Sequence, residues 1–347
     1  MRCPNLSQLP APPRDKSGWP WTEESPELSD AMHSCNMWPK ISVVTPNYNK
    51  GQFLEETIRS VLLQGYHNLE YFIIDGGSTD DSVEIIRKYE KWLIYWISEP
   101  DRGQSAAINK GWEMAKGEIL AYLNSDDTYT PFAVQTAVEF LVENPDVGMV
   151  YGDCNIIDEH SQVAGRYGAQ EFDLRKMVCG LYMIPQQAVF FRRQILDSVG
   201  YLDVNLYMAM DLDLWLRIGL EFRIKYISKL IANFRVCPGT KCVEEGYKFE
   251  HDLFYTLNKL FSNPELPKDV RALKRCAYGS VQLTFGIYYH SLGQMQKARR
   301  HFHKAFILHP PLFLKDPWLL GYLITSFLGA NVANTIVKWK RKLIKIH

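Results

Sequence analysis

The chain of 347 residues has no surplus of either charge, with 39 Lys and Arg against 39 Asp and Glu. A nucleic-acid binder needs a basic excess to neutralise phosphates, so no nucleic-acid partner is expected. Paired cysteine spacing is also missing. The seven cysteines, at 3, 35, 154, 179, 237, 242 and 276, are odd in number and scattered, which argues against a disulfide framework. Cys237 and Cys242 have no second pair to complete a zinc site, and reduced thiols in a cytosolic compartment are the expectation. Nothing matches the phosphate-binding pattern G-x-x-x-x-G-K-[ST], and no G-x-G-x-x-G follows the first strand-like run. A P-loop and a dinucleotide-binding domain are therefore both disfavoured. No basic start followed by an apolar run appears, so no signal peptide is expected.

What is present is enough apolar material for a sizeable core, at 46% hydrophobic and 22% charged residues. Residues 1–38 are rich in proline, hold Trp19, Trp21 and Trp38, and show no period, so they read as an irregular arm anchored by its indoles. From residue 40 strands and helices alternate. "ISVVTP" (41–46) reads as a buried strand, 52–65 as a helix, 69–75 as a strand and 78–90 as a helix capped by Ser or Thr. Strand 94–98, helix 104–117, strand 118–123, helix 131–143 and strand 147–151 follow. This predicts an α/β fold, a mostly parallel sheet with helices on both faces, with ligands at the carboxyl ends of its strands.

Polar residues collect at those ends: Thr45-Pro46-Asn47-Tyr48-Asn49, Asp75-Gly76-Gly77-Ser78, Glu99-Pro100-Asp101, and Asn124-Ser125-Asp126-Asp127. Any one of these is an ordinary turn. Together their carboxylates would repel unless a hard cation with oxygen ligands relieved them. Mg2+ or Mn2+ commonly binds one or two carboxylates plus substrate phosphates, so the ligand before Asp126 is expected to be a diphosphate.

"VVTPNYNKGQFLEETIRSVLLQ", "IIDGGSTDDS", "SEPDRGQSAAINKG" and "LNSDDTYTP", followed by "PQQAVFFRRQILDSVGYLD" and "MAMDLDLWLRIG", resemble in order and spacing the motifs of the family-2 inverting glycosyltransferases of the GT-A fold. The resemblance covers roughly residues 40–236. It implies a nucleotide-diphosphate sugar lying across the strand ends. Asp75 would accept from the base, Pro46 and Tyr48 would flank it, and Asp101 would lie near base or ribose. Asn49, Asn124 and Asp127 complete the implied nucleotide-sugar contacts, and Asp126 is the implied metal ligand. The family's D-x-D stands here as Asn124-Ser125-Asp126, keeping only its last carboxylate, with Asp127 as an extra one. Gln186, Gln187 and Arg217 fall on the implied acceptor side. Inversion needs a base opposite the leaving group, and the resemblance makes Asp211 that base. Spacing alone leaves Asp211 as a helix cap and Asp213 as a dipole partner. Arg217 is left between the diphosphate and Asp213.

The expected domains are the arm 1–38, a GT-A catalytic domain 39–239 and a helical extension 240–347. Within the extension, Gly286, Tyr289, Ala298, Phe302, Ala305 and Pro310 have the spacing of one tetratricopeptide-like helix pair over 278–310. Such a pair cannot bury its own face alone and reads mainly as a hairpin closing a core. Residues 318–337 carry no charge and are followed by Lys338, Lys340, Arg341, Lys342 and Lys345. With Asn331 and Asn334 inside, 318–347 fits an interfacial segment better than a membrane span, and a terminal core helix is the competing reading. The reading is thus a metal-dependent, inverting hexosyl transfer to a saccharide, lipid-linked or other cell-surface acceptor, in the cytoplasm or peripheral at the inner face of the cell membrane. The competing classes are a nucleotidyltransferase, which needs a Gly/Arg/Lys-rich first loop, and a non-catalytic sugar-nucleotide-binding scaffold.

Overall fold

The structure is a computed structural model and describes residues 3–29, 32, 37–180, 182–315 and 317–328. By internal packing the chain divides into two units: Met1–Phe172 with Met183–Gly246, and Asp173–Tyr182 with Tyr247–His347.

The first unit is built on a nine-stranded sheet. Its strands are β1 (Ile41–Asn47), β2 (Leu69–Asp75), β3 (Tyr95–Ser98), β4 (Ile119–Tyr122), β5 (Thr128–Tyr129), β6 (Val147–Ile157), β7 (Val163–Tyr167), β8 (Val189–Arg192) and β9 (Arg223–Arg235). The order is β3-β2-β1-β4-β8-β6-β9-β5, with β7 beside β6. β3, β2, β1 and β4 run parallel, as the alternation predicts, whereas β8 is antiparallel to both β4 and β6, which makes the sheet mixed. β1 and β2 are buried along their whole length, which is why they read as continuous apolar runs rather than alternating ones.

Between the strands lie α1 (Gly51–Leu62), α2 (Ser82–Tyr89), α3 (Gln104–Met114), α4 (Ala133–Glu143), α6 (Ile195–Val199), α7 (Met210–Glu221) and α8 (Lys241–Glu244), while α5 (Leu174–Val178) belongs to the second unit. Leu54, Ile58, Val61 and Leu62 of α1 are at most 2% exposed and join one core with Val43, Tyr71, Ile73 and Val134. Each such side chain contributes about 1.5–3 kcal/mol of burial. The four helices α1 to α4 are all shorter than the sequence predicts, and for two of them the cause is local. α1 stops at Leu62, and Gly65 beyond it takes φ +65° where an added Cβ would stand 2.2 Å from the Pro26 carbonyl oxygen. α2 begins at Ser82, because Ser78 and Thr79 are spent on hydrogen bonds to the strand ends.

The arm lies against this unit through polar as well as indole contacts. Arg59, fully buried in α1, donates to the carbonyls of Pro10, Pro20 and Trp21 and to the Tyr89 hydroxyl, and stacks on the Trp21 ring. Trp19 donates its indole N–H to the Tyr129 carbonyl at 2.8 Å.

The second unit is helical: α5, α9 (Phe249–Ser262), α10 (Lys268–Arg271), α11 (Lys274–Ser291), α12 (Met295–Leu308), α13 (Pro311–Lys315) and α14 (Pro317–Leu328). α11 and α12 pair as the tetratricopeptide-like spacing predicts. Ala298, Phe302 and Ala305 are fully buried, and a Cβ on Gly286 would meet the Phe302 ring at 2.5 Å. Of the predicted tail, residues 329–347 lie outside the described residues. Among the described residues no helix is long and apolar enough to cross a membrane.

Candidate active site

Register brings the polar strand ends together. Asn47 at the end of β1 stands opposite Asp75 at the end of β2, and Asp75 opposite Ser98 at the end of β3. β4 runs parallel to β1, and the Leu123 N–H continues to the Val44 carbonyl, which delivers Asn124–Asp127 to the same rim.

Asp75 organises one half of that rim. It is fully buried and accepts from Asn47 Nδ2 at 2.6 Å, from the Gly77 and Ser78 N–H groups, and from the hydroxyls of Ser78 and Ser98. A ligand N–H reaching Asp75 would have to displace one of these donors. Asn47 Oδ1, also buried, has no partner and offers the rim an acceptor that sequence reading passed over. Asn49 takes φ +51°, with its N–H on Ser78 Oγ and its Oδ1 accepting the Thr79 N–H. That turn leaves Tyr48 62% exposed above the buried Pro46. Asp101 is exposed, accepts the Gly103 N–H at 2.7 Å, and its carboxylate stands beside Gly76.

The adjacent carboxylates at 126 and 127 have different surroundings. Asp127 is 1% exposed; its Oδ1 accepts the Arg235 N–H at 2.9 Å and its Oδ2 accepts from Gln187 Nε2 and Asn124 Nδ2. Both oxygens are engaged by protein, so Asp127 braces the loop, and the ligand contact expected of it would have to displace one of these donors. Gln186 and Gln187, expected on the acceptor side, are likewise buried and bond Tyr122, Asn124 and Asp127. Asp126 keeps its carboxylate on the open side, with Lys50 Nζ 3.7 Å away. Burial raises the pKa of both acids; Lys50 and Arg235 oppose the rise at Asp126, while the Asp126 charge adds to it at Asp127.

Arg235, at the end of β9, is the residue sequence reading missed. Fully buried, it donates Nε to the Asp126 carbonyl, its other N–H groups to Asp158, Ser161 and Glu56, and it lies over the Phe53 ring at 4.4 Å. With its own N–H on Asp127 it fixes the loop from 108 residues downstream. No local motif announces it in "ANFRVC".

Asp211 sits in the first turn of α7, where Ala209 takes the cap position, so it is not the helix cap. Its Oδ1 accepts the Leu212 N–H at 2.8 Å. Burial pushes its pKa up to about 6, against the opposing pull of that hydrogen bond and of Lys241. Its proximity to β4 is felt at Tyr122, whose phenol is raised by burial and then by the charges of Asp211 and Asp127. Lys241 of α8 donates to Gln104 Oε1 at 3.0 Å, and Gln104 Nε2 donates to Asn124 Oδ1 at 2.6 Å. One polar chain thus runs from α8 through α3 to the carboxylate loop. Arg217, left open by the sequence, pairs with Asp213 at 2.8 Å and donates to the carbonyls of Val199, Gly200 and Tyr201. Its donors are spent on packing α7 against the end of α6.

Among the described residues no three His, Cys, Asp or Glu side chains converge as a cation cage. Asp126, facing Lys50 Nζ at 3.7 Å, is less engaged by protein than Asp127, so the rim fits a cation shared with phosphate oxygens and not one held by protein alone.

Comparison with known proteins agrees with this layout. The profile described as Glycosyl transferase family 2 matches residues 42–200. An uncharacterised glycosyltransferase of Mycobacterium tuberculosis is 35% identical over 184 residues, which span 52% of this chain and 70% of that protein. One from Nostoc is 30% identical over 175 residues, 47% of this chain and 54% of its own length. Among solved structures, TarS from S. aureus bound to UDP-GlcNAc superposes with a TM-score of 0.59 at 18% identity, covering 86% of this chain and 92% of that one. The mannosyltransferase PcManGT from Pyrobaculum calidifontis, in complex with GDP-Man and Mn2+, gives 0.56 at 18% identity over 91% and 90% of the two chains. These likenesses establish the GT-A fold, and with the relatives and the family profile they show that the chain is a glycosyltransferase belonging to glycosyl transferase family 2.

Proposed function

We propose that the protein transfers a hexosyl unit from a nucleotide-diphosphate sugar to a hydroxyl of a saccharide or lipid-linked acceptor, with inversion at the anomeric carbon and with help from Mg2+ or Mn2+. The observation that carries this reading is Asp211, a carboxylate in the first turn of α7 whose pKa burial lifts to about 6 and whose charge is felt at Tyr122 of β4. A base poised near neutral pH is what deprotonating a sugar hydroxyl requires. The donor would lie across the rim, its base over Tyr48 and toward Asn47 and Asp101, its diphosphate before Asp126. Two proteins of this fold bind UDP-GlcNAc and GDP-Man, which supports a nucleotide-sugar donor.

Transfer then follows in one displacement. The acceptor oxygen attacks the anomeric carbon from the side opposite the nucleotide, and its proton passes to Asp211. The bond to the diphosphate breaks, and its electron pair leaves with the phosphate oxygen. A cation at Asp126, when bound, neutralises the charge gathering on that leaving group. Arg235 and Asp127 keep the Asp126 loop in place without touching substrate.

The test is a panel of UDP- and GDP-sugars with Mn2+, Mg2+ or EDTA, following nucleoside diphosphate release and the anomeric configuration of the product. Metal-stimulated release with an inverted product supports the reading. Formation of nucleoside triphosphate and sugar 1-phosphate when pyrophosphate is added points instead to a nucleotidyltransferase, and binding of a sugar nucleotide without turnover to a scaffold. A retained anomeric configuration would remove Asp211 from the role of base.

A further inference from the structure

An ammonium can only donate, so Lys241 sets the direction of the polar chain that runs from α8 to the carboxylate loop. Gln104 turns Oε1 toward Lys241 Nζ, at 3.0 Å, and so presents Nε2 to Asn124 Oδ1, at 2.6 Å. Asn124 is left with Nδ2 for Asp127 Oδ2 and Gln186 Oε1, each at 3.1 Å. Each amide is oriented by the group before it, and the chain ends on the acid that braces the loop.

The same ammonium holds the segment that leads into α7. It donates to the Tyr207 carbonyl and stands 3.9 Å from the centre of the Tyr207 ring, whose hydroxyl donates to the Glu245 carboxylate. Asp211 follows in the first turn of α7. Burial raises the pKa of this acid, and the Lys241 charge opposes the rise. Two phenols also feel Asp211, Tyr122 on β4 and Tyr167 on β7; both are lifted by burial and carry no charge near neutral pH. Asp127, which acts on Tyr122 as well, is itself pushed up by burial, and Asp213 on α7 is paired with Arg217. Among the described residues, Lys241 is thus the cation whose charge favours an ionised Asp211.

We propose that Lys241 is a positioning residue for the transfer step: it ties the segment leading into Asp211 to the carboxylate loop and sets its positive charge by the Asp211 carboxylate. It touches neither substrate in this role, which rests on the reading of Asp211 as the base. Its removal leaves the segment anchored, because α3 holds it too. Ser105 Oγ donates to the Leu206 carbonyl at 3.3 Å, and the Asn109 amide bonds Leu202 through both its oxygen and its nitrogen.

The experiment compares the full chain with Lys241→Met, Lys241→Arg and Gln104→Leu, each with and without Asp211→Asn. Thermal melts against pH read the ionisation of Asp211, since the stability gained by the Asn substitution stops growing once the folded acid is ionised. In the native background that levelling is expected at about pH 6. Lys241→Met should move it upward by about half a pH unit or more, because the favourable charge is gone. Lys241→Arg should restore it, and Gln104→Leu, which keeps the charge, should leave it in place. Nucleoside diphosphate release from the same UDP- and GDP-sugars with Mn2+ should show its acid limb displaced in step. A levelling that Lys241→Met does not move overturns the proposal, as does an equal displacement in Gln104→Leu. An acid limb that stays in place while the melts shift removes Lys241 from the transfer step. If Asp211→Asn releases nucleoside diphosphate at the native rate, the base reading fails and takes the role in transfer with it. No release from any donor by the native chain counts against the donor reading and not against Lys241, whose action on Asp211 the melts then decide alone.

Discussion

Replacing Asp211 by Asn should move stability and catalysis in opposite directions. The pKa of this acid rises from 3.8 to about 6 because burial penalises its charge. At about 1.4 kcal/mol per unit, that places roughly 3 kcal/mol of unfavourable charge burial on the folded state above pH 6. Asp211 is only half-buried, so solvent reduces the figure, and about 1–3 kcal/mol is the expected gain for the Asn variant. Asn keeps the oxygen that accepts the Leu212 N–H. The pH dependence has a definite sign. Below pH 3.8 both states carry the proton and the wild type suffers no penalty. Between 3.8 and about 6 the unfolded chain ionises first, so the wild type loses stability as pH rises; above that the loss is complete. Thermal melts at pH 8 should therefore show the variant more stable, with the gap closing on acidification. Asn cannot take a proton, so turnover should fall about a hundred- to ten-thousand-fold with donor affinity kept. Wild-type turnover should itself decline below about pH 6 as the base is protonated. Nucleoside diphosphate release reads the rate and calorimetry the affinity. An Asn variant that turns over donor at the native rate, or is less stable at pH 8, refutes the assignment.

Asp126→Ala should abolish Mn2+-dependent donor binding by equilibrium dialysis, while the melting temperature holds or rises because one of two adjacent buried acids is gone. Arg235→Met leaves the Asp126 carbonyl without its donor and the Glu56 carboxylate without its countercharge, with Ser161 as the remaining donor to Glu56 and Asp158, and should cost about 3–5 kcal/mol in urea unfolding. A cost under 1 kcal/mol would show that water replaces the guanidinium. Gly286→Ala gains about 1 kcal/mol of helix propensity, but its Cβ would enter the Phe302 ring, costing about 1–3 kcal/mol. Denaturation of the whole chain should show the net loss, and a Phe302→Leu background should relieve it.

The first half of the sheet was readable because each parallel strand is a buried apolar run that ends in a polar turn, and one period covers each intervening helix. Local signals also single out Asp75 and Asp126 at strand ends, since acids there are conspicuous, whereas Asp211 stands out as a base only through the family resemblance. What they could not supply was direction. Asp126 and Asp127 are neighbours in sequence, yet one faces the rim and the other accepts three N–H groups from β9, Gln187 and Asn124. The glutamines at 186 and 187 fall on the acceptor side by resemblance, and their bonds to Tyr122 and Asp127, across 64 and 60 residues, leave no local signal. Arg217 was undecided until the carbonyls of 199–201 came within reach. The antiparallel insertion of β8 beside β4 is equally non-local, and no pattern within "VFFR" distinguishes it from a parallel strand.

The bond from Arg235 to the 126–127 loop also has a meaning in time. During synthesis the strands up to β4 emerge with their parallel partners close behind them, and their core can begin to assemble. The carboxylate loop is already made by then, but its brace is not, because it comes at the end of β9. Contacts of such sequence separation form late, after the closure entropy of the long intervening chain has been overcome. An unfinished chain therefore holds a sheet whose Asp126–Asp127 loop still lacks its brace, and that loop is fixed only when the whole first unit has closed.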